Sequence, residues 1–147
     1  AKIYPKDSLI IAMYGQGVTR GRTAKLGINS STNQACAVLF DIDNDLVLTD
    51  YLWVYLIGEY DRLRALASGN NQPNLNAQMI KDYNVVIPPS EIQAEIVNNY
   101  FEIRNQIKNC KIKVKTIISD FSKGKHYSFY RLNNPLRCFL CNRKRCY

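Results

Sequence analysis

Two stretches of this 147-residue chain carry side chains suited to recognition rather than to bond making. The first reads GQGVTRGRT from Gly15 to Thr23 and offers Arg20 and Arg22, with Lys25 just beyond. No acid lies between Asp7 and Asp41, so these cations stand unopposed along the sequence. An arginine fork fits a guanine edge or a phosphate, and glycine lets the backbone approach a ligand closely. The stretch lacks the Gly-Lys-Ser/Thr ending of a phosphate-binding loop and the spacing of a dinucleotide fingerprint, which argues against a nucleotide site. The plain alternative is a hairpin whose surface charge is incidental. The second stretch is Asn70, Asn71, Gln72, Pro73 and Asn74. Its amides can bond bidentately to adenine, or they can turn back on their own backbone and shape the loop.

Nothing else in the chain assembles a reaction centre. The only histidine, His126, lies near the C-terminus, and no Ser/His/Asp, Cys/His or paired-carboxylate arrangement stands out. Asp41, Asp43, Asn44 and Asp45 resemble a calcium loop at first glance, but the glycine and terminal glutamate of an EF-hand are missing, so a solvated turn is expected. His126, Cys138, Cys141 and Cys146 are too irregularly spaced for a zinc knot. No metal and no cofactor is expected.

The elements that must position the two loops follow from periodicity. SLIIAMY, Ser8 to Tyr14, and the alternating QACAVLF, Gln34 to Phe40, read as buried strands, with a polar turn at residues 28–33. Asp50 is expected to cap a helix through Ala67, whose Leu52, Trp53, Leu56, Ile57, Tyr60, Leu63 and Leu66 recur at helical spacing. Trp53 and the tyrosines read as core rather than as a base-stacking platform, while Arg62 and Arg64 can reach phosphate or simply be solvated. Asn76 can cap a short helix over Ala77–Lys81. Tyr83 to Ile87 reads as a β-branched strand, stopped by Pro88 and Pro89, and Ser90 with Gln93 forms a capping box for a long helix.

Beyond Ser90 the apolar residues fall into a heptad. Ile96, Tyr100, Ile103, Ile107, Cys110, Val114, Ile117 and Phe121 are spaced alternately by four and three, the seam of a coiled coil. About thirty residues at 1.5 Å rise make a rod of about 45 Å, which must project and needs a partner helix from elsewhere. The expected fold is therefore α+β: a small mixed β-sheet recognition domain with short helices, followed by a long projecting coiled-coil helix. The corresponding divisions are residues 1–89, 90–121 and a basic tail, 122–147.

Composition sets the class. One core plus an appendage suits this length, and no apolar run approaches the roughly 18 residues of a membrane span. Five cysteines and no signal-like N-terminus suggest a cytoplasmic protein with reduced thiols. The net charge of +8 is unevenly placed: residues 108–147 hold eleven of the 20 Lys and Arg but one of the 12 acids, Asp120. Such a basic end suits a phosphate-rich or acidic partner, or a solvated tail.

Several spaced motifs together carry a family resemblance over roughly residues 6 to 121. Gly69 with Gln72-Pro73-Asn74-Leu75, the Val85–Pro89 run, and Gln93 to Ile96 recur in that order, preceded by Leu9–Tyr14, Gly15–Gly21 and Asn33-Gln34-Ala35-Cys36-Ala37. In this the chain resembles the target-recognition domain, with its following helix, of a type I restriction–modification specificity subunit. The resemblance implies sequence-specific binding of double-stranded DNA without catalysis. It implies as partners an adenine methyltransferase subunit, a restriction/translocase subunit, and a second recognition domain or another copy paired through the long helix. On this reading Arg20, Arg22, Lys25, Gln34, Asn70, Asn71, Gln72 and Asn74 face DNA, and Ile96, Tyr100, Ile103, Ile107, Val114, Ile117 and Phe121 form the helix-pairing interface. Opening strands typical of such domains are not matched, which suggests a fragment or a half-sized subunit. Two rivals come from other classes: a coiled-coil module without DNA specificity, and a zinc-binding protein built on the C-terminal cysteines.

Overall fold

Leu9 and Ile11, two residues apart, are the innermost side chains of the sheet, both fully buried. A period of two puts them on one face of a strand. In the computed structural model, which describes residues 2–15, 17–67 and 74–123, the strands run Ile3–Tyr4 (β1), Leu9–Ala12 (β2), Thr23–Lys25 (β3), Ser30–Ser31 (β4) and Cys36–Leu39 (β5). β2 is the middle of a three-stranded sheet, with β3 on one edge and β5 on the other. Leu9 lies opposite Lys25 on one side and Leu39 on the other. β1 and β4 form a separate pair, so the expected turn at residues 28–33 contains a short strand. Every pairing among the described residues is antiparallel, and the small sheets, short helices and long C-terminal helix make the α+β fold expected. Antiparallel pairing follows from connectivity: β2 returns directly into β3 through the glycine loop, whereas a parallel neighbour needs a crossover.

The helix expected from Asp50 to Ala67 is two helices, α1 (Thr49–Gly58) and α2 (Tyr60–Leu66). Gly58 weakens the helix interior, and at the break the Glu59 carboxylate accepts a hydrogen bond from the Tyr83 hydroxyl. Nor is Asp50 the cap. Leu48 occupies that position, and the Asn44 side-chain oxygen accepts from both the amide and the hydroxyl of Thr49 at 3.0 Å. Leu52, Leu56 and Leu63 still share one face across the break and meet Leu9 and Ile11 in the main core. A second small cluster joins Met13, Ala67 and Leu75. Burying each such leucine or isoleucine contributes about 1.5–3 kcal/mol.

Asn76 caps α3 (Ala77–Lys81) as its sequence position suggests, accepting from the Met79 amide at 2.9 Å. The strand expected at Tyr83 to Ile87 does not form. Its β-branched residues carry the propensity, but no open strand edge meets them. A side chain takes one of its carbonyls instead, the Tyr51 hydroxyl donating to Val86 O at 2.7 Å, and just beyond the segment Gln93 Nε2 donates to Pro88 O at 2.8 Å. Val86 and Ile87 are accordingly exposed.

α4 runs Ser90–Ser122, 33 residues or about 50 Å at helical rise. No capping box closes its start, because Gln93 is buried elsewhere: its Oε1 accepts from the Leu48 amide at 2.8 Å, and Nε2 reaches Leu46 O as well as Pro88 O. The first turns of α4 therefore lie on the domain, with Val97, Tyr100 and Phe101 half-buried and Tyr100 and Phe101 against Trp53. The chain divides into two compact units, Ala1–Asn105 and Gln106–Tyr147. Among the described residues no helix is long and apolar enough to cross a membrane.

Burial, the bond to Glu59 and that residue's charge push the Tyr83 hydroxyl up from 10.0 to about 12. In the unfolded chain it ionises near its ordinary value, so the folded state holds the proton more tightly. This contribution to stability is complete below pH 10 and is lost as pH rises from 10 through 12. Urea unfolding of the wild type is expected to weaken steeply across that window, and Tyr83→Phe to flatten the slope. An unchanged slope in the variant would remove Tyr83 as the cause.

Candidate nucleic-acid interface

The glycine stretch is the connection from β2 to β3, and its glycines take backbone conformations that other residues avoid. Gly15, Gly17 and Gly21 have φ of 118°, 67° and 81°. Gly21 also has no room for a side chain: a Cβ there would lie 3.0 Å from Arg64 Cγ and 3.3 Å from the Tyr60 carbonyl. Its amide and that of Arg22 lock the loop base, through Gly21 N–H to Ala12 O at 2.9 Å and Arg22 N–H to Thr19 O at 3.1 Å.

α2 holds the rest of the loop. The Tyr60 hydroxyl donates to Val18 O at 2.8 Å, and Arg64 donates to Arg20 O at 3.1 Å and to the Tyr60 hydroxyl at 3.2 Å. The Arg22 and Arg64 guanidinium groups lie 5.6 and 5.3 Å from the centre of the Tyr60 ring. Arg22 stays exposed while its Nε donates to Val18 O at 2.9 Å, and Arg20 is half-buried. The loop is thus a hairpin connection, with the Arg22 side chain and the Arg20 carbonyl held in place. Sequence reasoning placed Tyr60 in the core and left Arg64 open. Their i, i+4 spacing on one helix face is the signal that could have paired them.

Lys25 sits differently. It lies on β3, where Nζ bonds to Asp50 Oδ1 at 2.5 Å and approaches Asp7 at 3.8 Å and the Trp53 ring at 5.6 Å. Lys25, Asp7 and Asp50 line a cleft of about 530 Å³ with Asn44, Thr49 and Asn98. The structure therefore separates Lys25 from Arg20 and Arg22, which the sequence had grouped together.

Met13, where β2 runs out, gathers the other candidates. Its amide donates to Ala35 O at 2.8 Å, and its carbonyl accepts from the Leu75 amide at 3.1 Å. The first bond brings in the Asn33–Ala35 turn, which carries the exposed Gln34 and is shaped by the Asn33 side chain accepting from Ala35 N–H. The second brings in half-buried Asn74 beside buried Leu75. The glycine loop, Gln34 and Asn74 are therefore tied to one end of the central strand although 60 residues separate Gly15 from Leu75. Asn70, Asn71 and Gln72 lie outside the described residues.

The acidic run is a turn. Asp43 accepts from the Asp45 amide, Asn44 holds Thr49, and among the described residues no group of three or more His, Cys, Asp or Glu could hold a metal. Cys138, Cys141 and Cys146 lie outside the described residues. On α4, Ile96, Ile103, Ile107, Val114, Ile117 and Phe121 are exposed, whereas Tyr100 packs on Trp53 and Phe101 of its own domain.

What these observations leave is a rigid arginine hairpin, amide-bearing turns tied to the same strand end, and a long helix with an exposed apolar seam. The family model for the type I restriction modification DNA specificity domain matches residues 1–116. This chain belongs to that family of DNA specificity domains.

Proposed function

We propose that the chain reads a double-stranded DNA target as the specificity component of a type I restriction–modification system. It does so without catalysing a reaction, and it directs methyltransferase and restriction/translocase subunits to the site. The observation that carries this reading is the clamped hairpin, in which Tyr60 holds the Val18 carbonyl and Arg64 the Arg20 carbonyl. A loop ordered before binding loses less freedom when it meets DNA. Arg20 and Arg22 then engage phosphate or a guanine edge, and Gln34 and Asn74 lie on turns tied to the same strand end. Lys25 acts through structure, joining β3 to α1, in place of the direct contact its sequence position suggested. Residues 1–89 serve recognition, 90–121 act as spacer, and 122–147 form the basic tail.

The test is duplex binding across a salt series by fluorescence anisotropy. Arg20→Ala with Arg22→Ala is expected to weaken binding at least tenfold at low salt. It should also flatten the dependence of log K on log salt by about 0.9 for each phosphate contact removed. Thermal melting checks that the double variant is folded. An unchanged affinity and slope in a folded variant would overturn the assignment. A coiled-coil module without DNA specificity predicts no duplex binding by either protein.

A further inference from the structure

We infer that Arg22 reads a guanine in the DNA target, and that Tyr60 and Arg64 set its guanidinium for that contact. This deepens the reading of the chain as a DNA specificity component and rests on it. A chain of hydrogen bonds converges on the Val18 carbonyl. The Tyr60 hydroxyl donates to it at 2.8 Å, Arg22 Nε donates to it at 2.9 Å, and Arg64 Nη1 donates in turn to the Tyr60 hydroxyl at 3.2 Å. The Tyr60 ring adds a face, with its centre 5.6 Å from the Arg22 guanidinium. Gly21 packs directly on Arg64 and Tyr60, where a Cβ would be too close, so nothing separates the hairpin from α2. Arg22 is nonetheless exposed, and among the described residues no carboxylate forms a salt bridge with it.

An arginine side chain offers donors only, five N–H groups in one plane. The Nε–H of Arg22 is engaged by Val18, which leaves the two terminal NH2 groups as a fork of fixed plane and direction. In the major groove guanine alone presents two acceptors side by side, O6 and N7. Adenine and cytosine each place an amino donor there, and thymine sets one acceptor beside a methyl group. A donor-only fork therefore matches guanine and meets a like donor, or lacks a second acceptor, at every other base. A phosphate also accepts such a fork, but phosphates recur at every nucleotide and a mobile cation can follow them. One backbone bond and one ring face remove that mobility and supply the plane that a base edge demands. Tyr60 and Arg64 are thus positioning residues, and neither has to touch the duplex.

The experiment uses the full chain and a pool of duplexes with a randomised centre, the bound fraction being sequenced. Wild type should enrich a motif containing a guanine that Arg22→Ala no longer prefers, while the other positions stay enriched. Replacing that guanine by 7-deazaguanine, which lacks the N7 acceptor, should weaken wild-type binding about tenfold and leave Arg22→Ala unaffected. Tyr60→Phe keeps the ring and removes the hydroxyl. It should lower the preference for this guanine about threefold while affinity for the unselected pool and the melting temperature hold. Melting checks each variant, and Arg22→Gln takes the place of Arg22→Ala should the latter fail to fold. A motif whose guanines all keep their preference in the folded Arg22 variant would overturn the inference and leave the DNA reading standing. So would equal weakening for every sequence with a salt slope shallower by about 0.9, the mark of a phosphate contact. A Tyr60→Phe protein that weakens on all duplexes alike would overturn the positioning role. Enrichment of no motif by the wild type would overturn both the inference and the reading beneath it.

Discussion

Replacing Gln93 by methionine is expected to cost about 2–4 kcal/mol of folding free energy. Gln93 is 1% exposed and makes three hydrogen bonds to backbone groups of other segments: Leu48 N–H, Leu46 O and Pro88 O. Methionine keeps the length and most of the volume but leaves one donor and two acceptors without their partner. Each buried orphan costs about 1–3 kcal/mol, reduced where water can reach it. The affected groups lie where α1, the Pro-Pro turn and α4 converge, so the start of α4 should loosen from the Leu46–Leu48 turn as well. Urea unfolding monitored by Trp53 fluorescence would measure the loss, with the denaturant slope checking that the unfolded states are comparable. A loss below about 0.5 kcal/mol would mean that these bonds contribute no more than an ordinary surface contact.

The second large effect separates folding from pairing. Ile103→Asp with Ile107→Asp should leave the isolated chain within about 1 kcal/mol of wild-type stability, because both side chains already face solvent. In a paired helix the same two carboxylates would enter a desolvated seam, where an unpartnered charge is strongly disfavoured. Affinity for a pairing helix should fall at least a hundredfold, about 2.7 kcal/mol or more. Ile103→Ser with Ile107→Ser serves as the uncharged control and should lose most of this affinity through lost apolar contact alone. Equal binding by wild type and both variants would place the pairing face elsewhere on α4. Loss of stability comparable to the loss of affinity would show instead that these isoleucines pack within the chain.

Much of the domain was legible from local pattern. The apolar run SLIIAMY identified β2, the recurrence of Leu52, Leu56 and Leu63 identified a helical face, and Asn76 marked the start of α3. These signals are local because strand and helix periods are properties of the backbone, and a cap bonds within three residues. The motif order that resembled the specificity family was likewise present in the residues, and the family match spans residues 1–116. The seam of α4 is a one-dimensional pattern on one helix, so sequence alone showed it.

What the tertiary structure decided is where polar side chains find partners. Ser90 and Gln93 have the spacing of a capping box, yet Gln93 bonds to Leu48, 45 residues away, because burial there offers three unsatisfied backbone groups at once. Lys25 reads as one of three loop cations until β3 packs against α1 and Asp50 captures it. Arg64 reads as a surface charge until the hairpin brings the Arg20 carbonyl to it across 44 residues. Val85, Val86 and Ile87 have strand propensity, but a strand exists only where a neighbouring edge accepts it, and here the Tyr51 hydroxyl takes the Val86 carbonyl. Periodicity follows from the chain's own geometry, whereas a hydrogen-bond partner is set by which segments meet in space. Local sequence therefore determined most of the elements of this domain, and packing determined which partners its polar side chains found.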